Sequence, residues 1–109
     1  MNGSVDIYLR DIANHRDIWE SSFNSIVSHL QRSGKNGINS SSRYSVHIKI
    51  DQGKRPNYDI DNYAKQIIDT LTNTRLLWGD DSQVDELFVK RTIDPNVSRP
   101  TIKVTVRQV

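Results

Sequence analysis

Residues 43–50 read RYSVHIKI, and their strict alternation decides the architecture. Tyr44, Val46, Ile48 and Ile50 face one way, while Arg43, Ser45, His47 and Lys49 face the other. A period of two marks a strand with one buried face, which needs apolar partners on the same side. The flanking segments supply them.

C-terminal to this strand, the basic turn DQGKRPN (51–57) contains Pro56, which biases Arg55 away from helix. The stretch YDIDNYAKQIID (58–69) follows, where Ile60, Ala64, Ile67, Ile68 and Leu71 form a helical stripe predicted to end near Thr72. N-terminal to the strand, Ile12, Trp19, Phe23, Ile26, Val27 and Leu30 mark an amphipathic helix from Asp11, a candidate cap, to about Arg32. The glycine- and serine-rich SGKNGINSSS (33–42) ends that helix in an exposed loop. VDIYL (5–9) alternates as a short strand.

Beyond the second helix, NTRLLWGDDSQ (73–83) reads as a loop with an apolar anchor, Leu76, Leu77 and Trp78, holding an acidic turn at Gly79. VDELFVKRTI (84–93) and TIKVTVR (101–107) read as strands, the second turning Ile102, Val104 and Val106 to the core. DPNVSRP between them is long enough for a hairpin. The order β-α-β-α-β-β predicts an α/β (α+β) fold, a small mixed sheet of about four strands with two helices packed on it. At 109 residues this is one domain.

With no cysteine, disulfides, thiolate catalysis and cysteine-based zinc sites are excluded, so any metal is held by oxygen or histidine. His15, His29 and His47 have no metal-ligand spacing and read as surface or interface residues. No apolar run reaches the length of a membrane helix and the polar start resembles no signal peptide, so a cytoplasmic protein without membrane contact is expected. A Gly-rich phosphate loop and a G-x-S-x-G elbow are both missing.

Net charge is only +2, but it is unevenly spread. Residues 59–86 hold seven acids against Lys65 and Arg75, within an otherwise basic chain. An acidic spot on a basic background suits an enzyme acting on a polyanion, although charges also cluster on solvated faces without function.

Asp59 and Asp61 stand at the mouth of the second helix, where the dipole favours an anion. One cap needs one aspartate, and two ionised carboxylates so close disfavour each other. Lys65 lies four residues from both Asp61 and Asp69, which by itself is the pattern of a surface ion-pair ladder. A second acidic pair, Asp80 and Asp81, shifts the balance. If the Trp78 anchor folds that turn back, three or four carboxylates are expected to meet in one place. Mg²⁺, or Mn²⁺ as a substitute, suits such a cluster; the EF-hand spacing of a calcium site is missing.

The blocks DIDNYAKQIIDTLT (59–72) and LLWGDDSQVDELFVKR (76–91) resemble the RusA-like Holliday junction resolvases, whose pattern combines D-x-D-N-x-x-K with D-x-L and D-D-x-Q-V. The resemblance implies a magnesium-dependent endodeoxyribonuclease, a homodimer that nicks opposing strands of four-way DNA junctions. Asp59, Asp61 and Asp81 would be metal-binding acids, helped by Asp80, with Lys65 the catalytic lysine. Asn62, Asp69 and Gln83 would support them. The approach to the first motif is only GKRPNY, so DNA positioning falls to Lys54, Arg55, Lys90, Arg91 and the 33–43 loop with Lys35 and Arg43. Two other readings share these residues: a non-catalytic junction-binding or scaffold protein, and a metal-dependent nuclease of flaps or single strands.

Overall fold

The computed structural model describes residues 4–10, 17–33, 42–54 and 59–109. The described elements run β1 (Ser4–Arg10), α1 (Asp17–Ser33), β2 (Tyr44–Gln52), α2 (Ile60–Thr74), a 3₁₀ turn (Asp81–Gln83), β3 (Val84–Ile93) and β4 (Thr101–Gln108). They form a four-stranded mixed sheet with two helices, the order expected from the sequence.

The RYSVHIKI alternation places β2 inside the sheet. Tyr44, Val46, Ile48 and Ile50 are buried, and they join Val5, Ile7 and Leu9 of β1 and Ile102, Val104 and Val106 of β4 in one core. Ile26 and Leu30 of α1 and Tyr63, Ala64, Ile67 and Leu71 of α2 close that core from the same side of the sheet. The helices pack on each other, with α1 against β1 and α2 against β3. A cation at the end of α1, Arg32, complements the helix dipole.

Strand order is β1-β4-β2-β3, so β3 and β4 are not hydrogen-bonded neighbours and the loop between them does not close a hairpin. β2, α2 and β3 form a parallel βαβ unit, which seats β3 on one side of β2. The other side of β2 accepts β4 antiparallel, and β4 accepts β1. Burial explains the choice: β4 alternates buried residues along its length, whereas β3 has no fully buried residue and exposes Asp85, Glu86 and Lys90, as an edge strand can.

The helical stripe of α2 holds at Ala64, Ile67 and Leu71, with Ile68 packed against the core, and departs from the expected one at its start. Ile60 is exposed, and Tyr63, Thr70 and Thr74 are buried instead. Tyr63 brings its own polar partner, for its hydroxyl accepts from the buried Gln52 side chain at 3.0 Å. Thr70 and Thr74 return their hydroxyls to the helix carbonyls of Gln66 and Leu71, which makes them burial-compatible. α2 runs to Thr74, two residues past the expected end. Asp11, Ile12 and His15 lie outside the described residues.

No helix among the described residues is long and apolar enough to cross a membrane.

Candidate active site

The Leu76–Trp78 anchor fixes the acidic turn. Leu77 and Trp78 are buried. The Trp78 indole Nε1–H donates to Thr72 Oγ1 at 2.7 Å, and the ring packs 5.4 Å from that of Tyr44. Tyr44 also donates its hydroxyl to the Leu77 carbonyl at 2.8 Å, tying the loop to β2. The chain leaves α2 through Arg75, a non-glycine residue in the left-handed region (φ 58°) whose N–H caps Thr72 O.

Gln83 then shapes the turn from within. Its side-chain carbonyl accepts the N–H groups of Gly79 at 3.0 Å and Asp80 at 3.3 Å, and its amide donates to Ser42 O at 3.1 Å. From outside, Arg43 clamps the same segment through the Asp85 carboxylate and the Ser82 carbonyl. Asp80 and Asp81 are thereby held with little freedom.

These two carboxyls share a hydrogen bond, and their acidities separate. Asp80 is held below the usual carboxylate range by the hydrogen bond from Ser82, 2.8 Å long, and by that from Asp81. Asp81 is pushed up by its bond to Asp80, then by desolvation and by the charges of Asp80 and Asp69. The turn packs on α2, which brings the Asp69 charge within reach of Asp81.

Asp59 and Asp61 do not join them. Among the described residues no three acids or histidines gather as a group able to hold a metal, so the expected cluster of three or four carboxylates is not formed within one chain. The turn does pack on α2, but the charge that reaches Asp81 from that helix is Asp69's, about 12 Å along the helix from Asp61 at 1.5 Å per residue.

The plainer explanations of the α2 charges fail as well. Asp59 occupies the N-cap position of α2 but its side chain makes no capping hydrogen bond. Lys65 forms no salt bridge with Asp61 or Asp69; among the described residues the side-chain ion pairs are Arg43–Asp85 and His47–Glu86. Asp59, Asp61 and Lys65 are all exposed. They spend no charge on holding the fold together, which leaves them free for substrate or cation.

Residues 19–107 match the family model of endodeoxyribonuclease RusA. The chain belongs to that family. The match spans α2, the acidic turn and most of the sheet, and it makes the RusA-family chain one of a group of DNA endonucleases. A search of curated proteins gives no match.

The remaining predicted residues of this RusA-family chain are scattered. Asn62 is half-buried in the first turn of α2, and Asp69 is half-buried two turns on. Lys54 is exposed at the end of β2, and Lys90 is exposed on β3. Arg91 is half-buried with its guanidinium 5.6 Å from the centre of the Tyr63 ring, and Arg43 is engaged by Asp85. Lys35 and Arg55 lie outside the described residues. Ser42 and Ser82 were missed by sequence reasoning; nothing in their spacing announces that one receives Gln83 and the other donates to Asp80.

Two adjacent carboxyl groups, once both are ionised, are the donor type that a hard divalent cation takes, since magnesium is commonly held by one or two carboxylates, with phosphate oxygens and water completing its shell.

Proposed function

We propose that the chain is a magnesium-dependent endodeoxyribonuclease that resolves four-way DNA junctions by paired nicks, acting as a homodimer. The reading is supported by the family match over residues 19–107. What carries it to particular residues is that Asp59, Asp61 and Lys65 stay out of capping and ion-pair bonds.

In this reading Asp59 and Asp61 would hold Mg²⁺ at the entrance of α2. Asp81, with Asp80 assisting, would complete the site once bound DNA or a second copy of the chain brings an acidic turn to them, since the four acids do not gather within one free chain. Bound there, the ion would polarise the scissile phosphate and lower the pKa of a water. Lys65 places its ammonium beside the phosphoryl oxygens, where it stabilises charge that develops as the bond breaks. Asp69, one turn further along α2, would orient Lys65 only when substrate draws the two together, since they form no ion pair in the free chain. Asn62 supports the first motif and Gln83 the second. Lys54 holds phosphate without reading bases, so selectivity for a junction comes from shape.

Two variants test the assignment. Asp59→Asn and Lys65→Ala should bind an immobile four-way junction in EDTA as the wild type does, yet fail to nick it when Mg²⁺ is added. Full cleavage by either variant would contradict the role assigned to that residue, and preferential cutting of a flap would keep the site but change its substrate.

A further inference from the structure

The side of the sheet turned away from the helices has no described element packed on it. Register places Tyr8, Lys103, Lys49 and Lys90 in one row straight across β1, β4, β2 and β3. With strands about 4.8 Å apart, three lysines stand on adjacent strands within about 10 Å. Like charges directly opposite one another in a sheet are destabilising. The nearby acids do little to relieve them: Glu86 is bound to His47 and Ser45 at 2.8 and 2.7 Å, and Asp6 accepts from Thr105 at 2.8 Å. Asp51 is the remaining acid of this face, one pleat along β2 from Lys49.

Aromatic rings lie beside the lysines. Phe88 is 54% exposed, with its ring 5.5 Å from that of His47 in the adjacent row. At the opposite edge Tyr8 is 50% exposed, with the Lys103 ammonium 5.8 Å from its ring centre. A hollow of about 210 Å³ opens between these features, lined by His47, Lys49, Phe88, Lys90, Lys103 and Thr105.

Exposed rings on a four-stranded sheet, flanked by lysines, offer faces for unstacked bases and cations for the phosphates between them. We propose that this face binds an unpaired DNA strand, with its backbone on Lys49, Lys90 and Lys103 and a base on the Phe88–His47 pair. A duplex keeps its bases stacked and has no use for the exposed rings. A second copy of the chain would bring another three ammonium groups into the same interface. The proposal goes beyond the nuclease reading, because α2 with Asp61 and Lys65 lies on the other side of the sheet and binding at this face requires neither metal nor cleavage.

The test uses the full chain in EDTA and a fluorescein-labelled oligo(dT) of fifteen nucleotides, read by anisotropy between about 50 and 200 mM salt. Lys49→Ala/Lys90→Ala/Lys103→Ala should bind at least tenfold more weakly, and its salt dependence should fall by about 2 in slope, near 0.7 for each lost phosphate contact. Phe88→Ser should weaken binding by about fivefold or more while keeping the wild-type circular dichroism and sedimentation mass. Unchanged affinity in either variant, or no binding by the wild type at the lowest salt, overturns the proposal. So does a Phe88→Ser protein that loses sedimentation mass but holds oligo(dT) normally, since the face would then belong to a second copy.

Discussion

Gln83 and Asp80 are joined across the acidic turn: the buried glutamine carbonyl accepts the Asp80 N–H at 3.3 Å while its amide reaches Ser42 O at 3.1 Å. A side chain legible only as a supporting group in the sequence is thus the internal brace that ties the second acidic pair to the start of β2. Gln83→Leu leaves the Gly79 and Asp80 N–H groups and the Ser42 carbonyl without this partner. It is expected to cost about 1–3 kcal/mol in urea unfolding and to lower cleavage at least tenfold, because displaced carboxylates act poorly. A variant as stable as the wild type would show that water replaces the brace.

Asp59 gives the opposite expectation. Its carboxylate is exposed and makes no capping bond, so Asp59→Asn should change stability by no more than about 0.5 kcal/mol while abolishing nicking. Thermal melts and a cleavage assay on the same preparation check both halves. A large stability loss would mean that Asp59 serves the helix after all.

Gly53 sits where β2 hands the chain toward Asp59. A Cβ there would lie 2.3 Å from the Val97 carbonyl oxygen, a backbone atom fixed in a turn by the Val97 N–H to Asp94 O and Asp94 N–H to Gln52 O bonds of 2.9 and 2.8 Å. Gly53→Ala is expected to destabilise by about 1–3 kcal/mol through that clash. A melting temperature equal to the wild type's would show that the turn yields freely.

Acid should loosen the clamp on the acidic turn. The hydrogen bond from Arg43, reinforced by its charge, holds Asp85 below its ordinary value of 3.8. A carboxylate depressed in the folded state contributes stability that is full above the unfolded value and lost as pH falls through the folded one. Glu86, depressed by His47 and Ser45 from 4.5, adds to the same trend. Melting temperature should therefore drop on acidification below 4.5, the ordinary value of Glu86, and Asp85→Asn, which lacks one contribution throughout, should converge on the wild type at the acid end. Parallel curves would contradict the linkage.

The parts of the fold that were legible in the sequence are those with a single strong period. β2 and β4 alternate without interruption, and each lands with its apolar side in the core. Strand adjacency was not legible, because the loop after β3 is as compatible with a hairpin as with a passage to the far side of β2; burial on both sides of β2 decides it. The stripe of α2 was misread at Ile60 because Tyr63, Thr70 and Thr74 count as polar in a sequence, yet each has a hydrogen-bond partner inside the fold. At the site, residue types and the Trp78 anchor were readable, but the distance between the acidic pairs was not. It depends on where along α2 the turn docks, a property of packing between segments well separated in the chain.

The most direct test of the nuclease assignment is cleavage of a labelled, immobile four-way junction, with Mg²⁺ and with EDTA, beside a matching duplex. Paired nicks in the junction that require Mg²⁺ and vanish in Asp59→Asn are the predicted result. A junction that is bound but left intact under both Mg²⁺ and Mn²⁺, or cut equally well in EDTA, would contradict it.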